Sequence, residues 1–181
     1  TGPRRFFLAY RDGVLVDSYR FLPRSFVPLY ADAQPIDGEA DVVWAEFGPR
    51  LADARIALIT SAGLFLKDEQ PTFDGERERN EPTWGDPTHR VLPSDVTSGA
   101  LGMMHLHVNN SDVLADHNIA LPTDLLDDLA EEGVVGGSTA HHVSVMGYQQ
   151  AGLDVWRRET APAIAALLRE DGADGVVLAP V

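Results

Sequence analysis

The chain has 181 residues, 44% hydrophobic and 23% charged, which is the composition of one globular domain with an ample core. Its formal net charge of −14 argues against nucleic acid or an anionic membrane as partner, because both require a basic surface. The absence of cysteine excludes disulfides and a thiol nucleophile within these residues. We find neither a secretory signal nor an apolar run of roughly 20 residues, and therefore expect a cytoplasmic protein.

The first part of the chain predicts an arm and then a buried strand. Residues 1–50 are rich in aromatic residues and proline and are expected to form an irregular arm that packs on an α/β core of residues 51–181. The apolar run Arg55–Thr60 predicts a strand, which Ser61 and Gly63 end. The polar segment Lys67–Pro87 predicts a long loop of functional or mobile character.

The middle of the chain predicts two strands that carry histidines, with a helix between them. The segment Leu101–Val108 reads as a strand, and its period of two places His105 and His107 on one face. A helix follows, with Thr123 as its N-cap and Gly133 at its end. The sequence "STAHHVSVMG" then predicts a second strand with histidines.

The last part of the chain predicts a helix and a buried strand. Asp154–Arg169 has a helical apolar pattern, and Pro162 either kinks this helix or starts a second one after Thr160. The continuous apolar run Gly175–Val181 is typical of a buried parallel strand. Alternation of helix and strand predicts an α/β fold with a mainly parallel sheet and helices on both faces. In such folds, sites gather at the carboxyl ends of strands.

Histidines are the most concentrated reactive side chains. Five of the six lie between His105 and His142. The pair His105 and His107, with His142 and the carboxylate of Asp116, suits a divalent transition metal such as zinc, iron or nickel with one open position. The same residues also suit acid–base catalysis near neutral pH, or buried imidazoles bonded to the backbone. The pattern leaves these three interpretations open.

A second set of residues suits an anionic or polar substrate. Arg90, with Asp86 beside it in "GDPTHR", could hold an anionic group, or the two could form an ion pair. The turn that contains Ser61 and Gly63 could present backbone N–H groups to a carboxylate or phosphate. Asn118, in the turn after His117, is the further candidate substrate contact.

Several segments in matching order resemble the glycine/sarcosine/betaine reductase selenoprotein B family, in its short non-selenium branch. They are "IALITSAGLFLKDEQPTFD", "WGDPTHRVLP", "MHLHVNNSDVLADHNIALP", "EEGVVGG" and "HHVSVMGYQ", and the resemblance runs from about Val43 to the last residue. It implies a parallel-sheet α/β fold and a reductase ancestry. Full members cleave a C–N bond of a small amine or amino acid with a selenol or thiol and thioredoxin-type electron supply.

The resemblance also implies which residues matter and what is missing. The family's features fall on Gly63, Asp86, Arg90, His105, His107, Asp116, Asn118, Pro122, Glu132, Gly133, Gly136, His142, Met146 and Gly147. In the family a cysteine or selenocysteine motif follows a strand like Gly175–Val181, whereas the sequence stops at Val181. The motif then belongs to a following segment or a separate chain, or this member has lost it.

These observations lead to three hypotheses. The first is an oxidoreductase-type enzyme or subunit that acts on a small amine, amino acid or thiol-derived substrate through its histidines. The second is a metal-dependent hydrolase or lyase. The third is a non-catalytic subunit that needs a partner chain, or a segment after Val181, carrying cysteines. A homo-oligomer is a further candidate assembly.

Overall fold

The computed structural model describes residues 8–11, 14–17, 45–81, 84–106, 108–147 and 153–181. The chain divides into two compact units, Thr1–Ala45 and Glu46–Val181. In the first unit, strands β1 (Leu8–Arg11) and β2 (Val14–Asp17) form an antiparallel hairpin. The expected packing of the arm on the core involves residues outside those described. Among the described residues, no helix has the length and apolarity that crossing a membrane requires.

The second unit contains seven strands and five helices in its described residues. The strands are β3 (Arg55–Thr60), β4 (Leu64–Leu66), β5 (His89–Pro93), β6 (Leu101–Met103), β7 (Gly137–Ser138), β8 (His141–Val145) and β9 (Gly175–Ala179). The helices are α1 (Gly75–Asn80), α2 (Asn110–Ala115), α3 (Thr123–Glu131), α4 (Leu153–Val155) and α5 (Ala161–Glu170), and a π-helical turn, Trp156–Thr160, joins the last two.

Strand β3 is the centre of the main sheet. It pairs in parallel with β7, β8 and β9, and β5 adds an antiparallel strand beyond β8. Because β9 accompanies β3 from Ile56 to Thr60, β7 and β8 must share the other edge of β3, one after the other. The spatial order is therefore β5, then β8 with β7, then β3, then β9.

The two faces of this sheet bury separate hydrophobic clusters, because successive side chains of a strand point to opposite faces. One face, which we call the α5 face, packs Ala57, Val143 and Val145 against Ile164 and Leu168 of α5. The other, which we call the β4–β6 face, packs Ile56, Leu58 and Leu92 against the antiparallel pair of β4 and β6 and against helices α2 and α3. The predicted α/β fold with helices on both faces of a mainly parallel sheet is confirmed.

Three local predictions are also confirmed. The strand Arg55–Thr60 has the predicted bounds. Helix α5 begins directly after Thr160, as one of the two alternatives predicted, and Pro162 lies in its first turn, while the helical backbone continues from the π-helical turn into it. Gly133 ends α3 with a positive φ of 70°. These features depend on a few neighbouring residues, which explains why the sequence reveals them.

Two local predictions are wrong, one because tertiary contacts end a strand early and one because a local cap starts a helix. The predicted strand Leu101–Val108 ends at Met103, opposite Leu64, where the partner strand β4 begins. His105 therefore lies in a loop and not on a strand face, and His107 lies outside the described residues. The predicted loop Lys67–Pro87 contains α1, which Asp74 caps by accepting a hydrogen bond from the Arg77 N–H at 2.9 Å.

The prediction for the last strand is half right. β9 pairs in parallel with β3, as expected. It lies at the edge of the sheet, however, and Val176, Val177 and Leu178 are 44%, 48% and 68% exposed. An apolar run therefore identifies the strand but does not show what covers it.

Two glycines with similar backbone conformation give a test of the packing at the end of β3. A Cβ at Gly63 (φ 66°) would lie 2.2 Å from the Met104 carbonyl oxygen, whereas a Cβ at Gly133 (φ 70°) would meet nothing within 4 Å. We expect Gly133→Ala to lower the free energy of unfolding by about 1 kcal/mol, through backbone strain alone. Gly63→Ala should cost about 3 kcal/mol, because a clash with backbone is added. Urea unfolding measures both; equal losses would contradict the packing described at Gly63.

Candidate functional site

His142 occupies a gap in the central sheet. β3 is paired with β7 at one end and with β8 at the other, and Thr139 and Ala140 separate these two strands. In this gap the Leu58 N–H donates to His142 Nδ1 at 3.1 Å, so an imidazole replaces the usual carbonyl acceptor. The His142 side chain is completely buried. Its first role is therefore to complete the hydrogen bonding of β3.

The hydrogen bonds of His142 define its protonation. Because Nδ1 accepts from Leu58, the ring proton is on Nε2, which donates to Ser138 Oγ at 3.1 Å. The Ser138 hydroxyl in turn donates to the Thr139 carbonyl oxygen. Burial lowers the pKa of His142 to about 4; Asp171 opposes this shift and His141 adds to it. His142 is thus neutral at physiological pH, and both of its nitrogens are occupied by hydrogen bonds.

His117 belongs to a second buried network. Ser98 Oγ accepts from the His117 backbone N–H at 3.1 Å and lies 2.9 Å from Nδ1. On the opposite side of the ring, Nε2 lies 2.8 Å from Thr123 Oγ1. Since a hydroxyl contacts each nitrogen and the residue is buried, His117 ties the start of α3 to the turn before β6.

His141 belongs to a third network. It is next to His142 in β8 but points to the opposite face, where its Nδ1 lies 2.9 Å from Asp171 Oδ2. The same carboxylate oxygen accepts from the His141 backbone N–H at 2.9 Å. This pair connects the carboxyl end of α5 to the start of β8. His142, His117 and His141 therefore belong to three separate hydrogen-bond networks.

His105 lies at the carboxyl end of the sheet. The preceding residue, Met104, donates its N–H to the Gly63 carbonyl oxygen at 3.0 Å, just beyond the end of β3. With its amide nitrogen turned toward the loop, Asn110 donates to the carbonyl oxygens of His105 and Val108 at 3.1 Å each. Met146, beside this loop, pairs with Ala62. His142 precedes Met146 by four residues, so it lies roughly 13 Å from Met146 along the strand, toward the amino end of β8.

The turn from Ser61 to Gly63 uses its backbone N–H groups internally. They donate to the Ala179 carbonyl oxygen, to Thr60 Oγ1 and to the Val145 carbonyl oxygen, in chain order. The Ser61 hydroxyl oxygen also accepts from the Val181 N–H at 2.8 Å. The turn therefore joins the carboxyl ends of β3, β8 and β9 to one another, and these N–H groups are not available to an anion.

Arg90 and Asp86 form a structural clamp beside this end of the sheet. The Arg90 guanidinium lies 4.2 Å from the centroid of the Phe73 ring and donates to three carbonyl oxygens and one hydroxyl: Pro71, Thr72, His89 and Thr88. Asp86 is buried and accepts from the N–H groups of Asp74 and Thr88. Burial lowers the pKa of Arg90, and Asp86 opposes that shift. Four of the five N–H donors of Arg90 are committed to the protein itself.

Asp116 and Asn118 form a capping network at the surface. Asp116 accepts from the N–H and the side-chain amide of Asn118 at 3.0 and 3.1 Å. Asn118 also bonds in both directions to Asp124 in the first turn of α3. These contacts adjoin His117 and Ser98, before the start of β6. Met104 and His105 follow the other end of β6, so the contacts shown place Asp116 and Asn118 with a different network.

The part of the chain that the structure describes contains no candidate metal site. There, no three His, Asp or Glu side chains are grouped in a way that could hold an ion. His107, which the predicted set includes, is not among these residues.

Two features at the carboxyl end of the sheet were missed by the sequence analysis. His89 begins β5 opposite Val145, and burial, with a smaller effect of Arg90, lowers its pKa. Trp156 packs on the α5 face, but its buried Nε1 is without a hydrogen-bond partner among the described residues. Neither has a sequence signal, because each depends on the antiparallel pairing of β5 or on the π-helical turn.

Comparison with known proteins shows similarity to a reductase subunit. The chain is 31% identical to D-proline reductase subunit gamma of Acetoanaerobium sticklandii over 138 residues, which is 75% of this chain and 52% of that protein. The chain is similar to a reductase subunit. It spans about half the length of the curated relative that it matches. No family model and no solved structure matches the chain.

This similarity agrees with the resemblance found in the sequence at the level of a reductase-type enzyme subunit. It extends over most of the chain, so the matched part is larger than any of the networks described above.

His142 allows a test of whether the predicted site residue supports the fold. We expect His142→Ala to lower the free energy of unfolding by about 3 kcal/mol at neutral pH, because it leaves the Leu58 N–H unpaired beside a cavity. His142→Asn, which keeps an acceptor oxygen near the position of Nδ1, should lose roughly half as much. The unfolded imidazole titrates near its ordinary pKa of 6.5 and the folded one near 4. The stability from this shift is therefore complete above the unfolded value and is lost as the pH falls toward the folded value.

Urea unfolding of the wild type and His142→Asn at two pH values measures this effect. Between pH about 7.5 and about 5, the wild type should lose roughly 2 kcal/mol more than the variant, which has no group to titrate there. The same pH dependence in both proteins would show that His142 is not a buried neutral imidazole.

Proposed function

We propose that this chain is part of an oxidoreductase that binds a small polar substrate at the carboxyl end of its sheet. The similarity to D-proline reductase subunit gamma carries the proposal. The substrate class is an amine, an amino acid or a thiol-derived molecule, and D-proline is the first compound to test. We also propose that the protein is located in the cytoplasm.

The electrons for a reductive cleavage must come from outside these residues. Cleaving a C–N bond reductively consumes two electrons, and among side chains a pair of thiols delivers two electrons by forming a disulfide. The sequence contains no cysteine. In this proposal, a second polypeptide or a following segment supplies the thiol or selenol, and the described chain supplies the substrate-binding surface.

The carboxyl end of the sheet is the favoured place for that surface. In parallel α/β sheets, ligands bind outside the carboxyl ends of strands. Ser61 joins the ends of β3 and β9 there, and the loop with His105 arrives beside Gly63. In our proposal His105 and the neighbouring His107 exchange protons with the substrate, since imidazole titrates near neutral pH.

The remaining predicted residues receive supporting roles in this proposal. His142 aligns β3 with β8, and the clamp of Arg90 and Asp86 holds the segment from Pro71 to Asp74. Asp116 and Asn118 are left out of the site because they cap a turn beside α3. The Trp156 Nε1 hydrogen is a donor that a substrate oxygen or a water molecule would satisfy.

Of the two other hypotheses, the metal-dependent hydrolase or lyase gains no support from the described residues, which hold no grouping of three ligands. The non-catalytic subunit differs from our proposal in one respect, which is the role of His105. The same chain would then hold the substrate while a partner performs every chemical step. Binding measured separately from turnover distinguishes these two cases.

Titration of the isotopically labelled chain with D-proline, glycine, sarcosine and betaine tests the proposed site by NMR. We expect at least one of them to shift the amide signals around Ser61, Gly63 and His105, while the signals of Asp116 and Asn118 stay in place. His105→Gln should weaken binding by about tenfold, the loss of one hydrogen bond to a charged group. The matched control Asp116→Asn should bind as the wild type does.

Two outcomes would contradict the proposal. One is that none of the four compounds shifts any signal at the carboxyl end of the sheet. The other is that binding persists in His105→Gln but weakens in Asp116→Asn, which would move the site to the network around His117.

A further inference from the structure

In the part of the chain that the structure describes, strand β9 is an apolar edge with which no further strand pairs, and Pro180 follows it. Natural proteins protect such edges with charged side chains, bulges or covering elements. The segment Gly175–Val181 has no charged residue in a chain of net charge −14. Its exposed valines and leucine lie on both faces of the sheet. Val176 and Leu178 are in register with Ala57 and Ile59 of the α5 face, whereas Val177 is in register with Leu58 of the β4–β6 face.

The backbone groups of β9 that face away from β3 can be identified. The Ala179 carbonyl oxygen accepts from the Ser61 N–H, so the polar backbone groups of Ala179 face β3. Since these groups alternate in direction along a strand, those of Val177 also face β3, while those of Val176 and Leu178 face the open edge. Pro180 follows and has no N–H to extend a ladder.

This arrangement is self-complementary. In an antiparallel pair, two residues that exchange both backbone hydrogen bonds stand opposite each other. If a two-fold axis passes beside Val177, Val176 stands opposite Leu178 of the partner subunit. These are the residues whose backbone groups face the open edge, and the two symmetric pairs give four hydrogen bonds.

The side chains agree with that pairing. Each Val176 would contact Leu178 of the partner subunit on the α5 face, so exposed apolar surface meets exposed apolar surface. On the β4–β6 face, Val177 would contact Val177 of the partner subunit near Phe47, which is 45% exposed and packs over Gly175. Asp174 stands opposite Pro180 of the partner subunit, and so the pairing brings no like charges together.

We propose that two copies of this chain associate through β9, antiparallel about a two-fold axis at Val177, and form one continuous sheet. This inference is independent of the proposed catalytic function. Because each copy has a net charge of −14, the two copies repel each other at long range, and added salt should strengthen the dimer by screening that repulsion.

Two double variants at the same exposed positions test the register. In Val176→Lys/Leu178→Lys, each lysine would oppose a lysine of the second copy, whereas in Val176→Lys/Leu178→Glu each lysine would oppose a glutamate. Light scattering or sedimentation should give the wild type a mass of twice 19.7 kDa. The dissociation constant should rise on the order of 100-fold in the lysine–lysine variant and stay near the wild-type value in the lysine–glutamate variant.

Circular dichroism and urea unfolding show whether both variants fold, which is expected because these side chains are exposed in the single chain. A monomeric wild type would overturn the proposal and would mean that something other than a second copy covers the edge. A dimer that survives in the lysine–lysine variant, or that is lost equally in both variants, would also overturn it, since neither result fits the pairing of Val176 with Leu178.

Discussion

The hydrogen bond from the Leu58 N–H to His142 Nδ1 is the constraint on which the central sheet depends. β3 must pair along both edges because its side chains are buried on both faces, and an unpaired buried N–H costs about 1–3 kcal/mol. The neighbouring strand is interrupted between β7 and β8, so no backbone carbonyl fills that position. His142 fills it from the side and is held by Ser138 on its other nitrogen. A neutral ring is required, because a protonated Nδ1 could not accept.

Because of this constraint, the role of His142 in the structure differs from the role that the sequence suggests. From sequence, His105, His107 and His142 form one chemical set. In the structure His142 is a buried acceptor, while His105 lies near the surface at the carboxyl end of the sheet. Arg90 likewise satisfies backbone groups, because its guanidinium donates to carbonyl oxygens of its own chain. Residue types that are typical of catalysis are thus also the residues that satisfy buried backbone groups.

The sequence predicts those parts of the fold that depend on local chemistry. The strand Arg55–Thr60, the start of α5 after Thr160 and the left-handed Gly133 each follow from a few adjacent residues. The end of β6 at Met103 could not be predicted, because it is set by β4 and by the Gly63 carbonyl oxygen, about 40 positions earlier in the chain. The exposure of Leu178 was equally hidden, because an apolar run does not reveal which strand forms the edge.

The relation to a reductase subunit gives these observations a common setting. The chain forms a firmly bonded sheet whose carboxyl end joins three strands through Ser61, Gly63 and their hydrogen bonds. Such an end can present a substrate to a thiol from outside while its own polar groups stay satisfied. The proposed role in substrate binding and proton exchange is compatible with this arrangement, and the proposal takes the thiols from outside these residues, which contain no cysteine.

The protonation of His142, followed by NMR through its ring nitrogens, tests the central claim most directly. The account predicts a neutral ring with the proton on Nε2, unchanged as the pH falls from about 8 to about 5, because burial lowers the pKa of His142 to about 4. Titration near the ordinary value of 6.5, or a proton on Nδ1 at neutral pH, would contradict it. Either result would return His142 to the candidate catalytic residues.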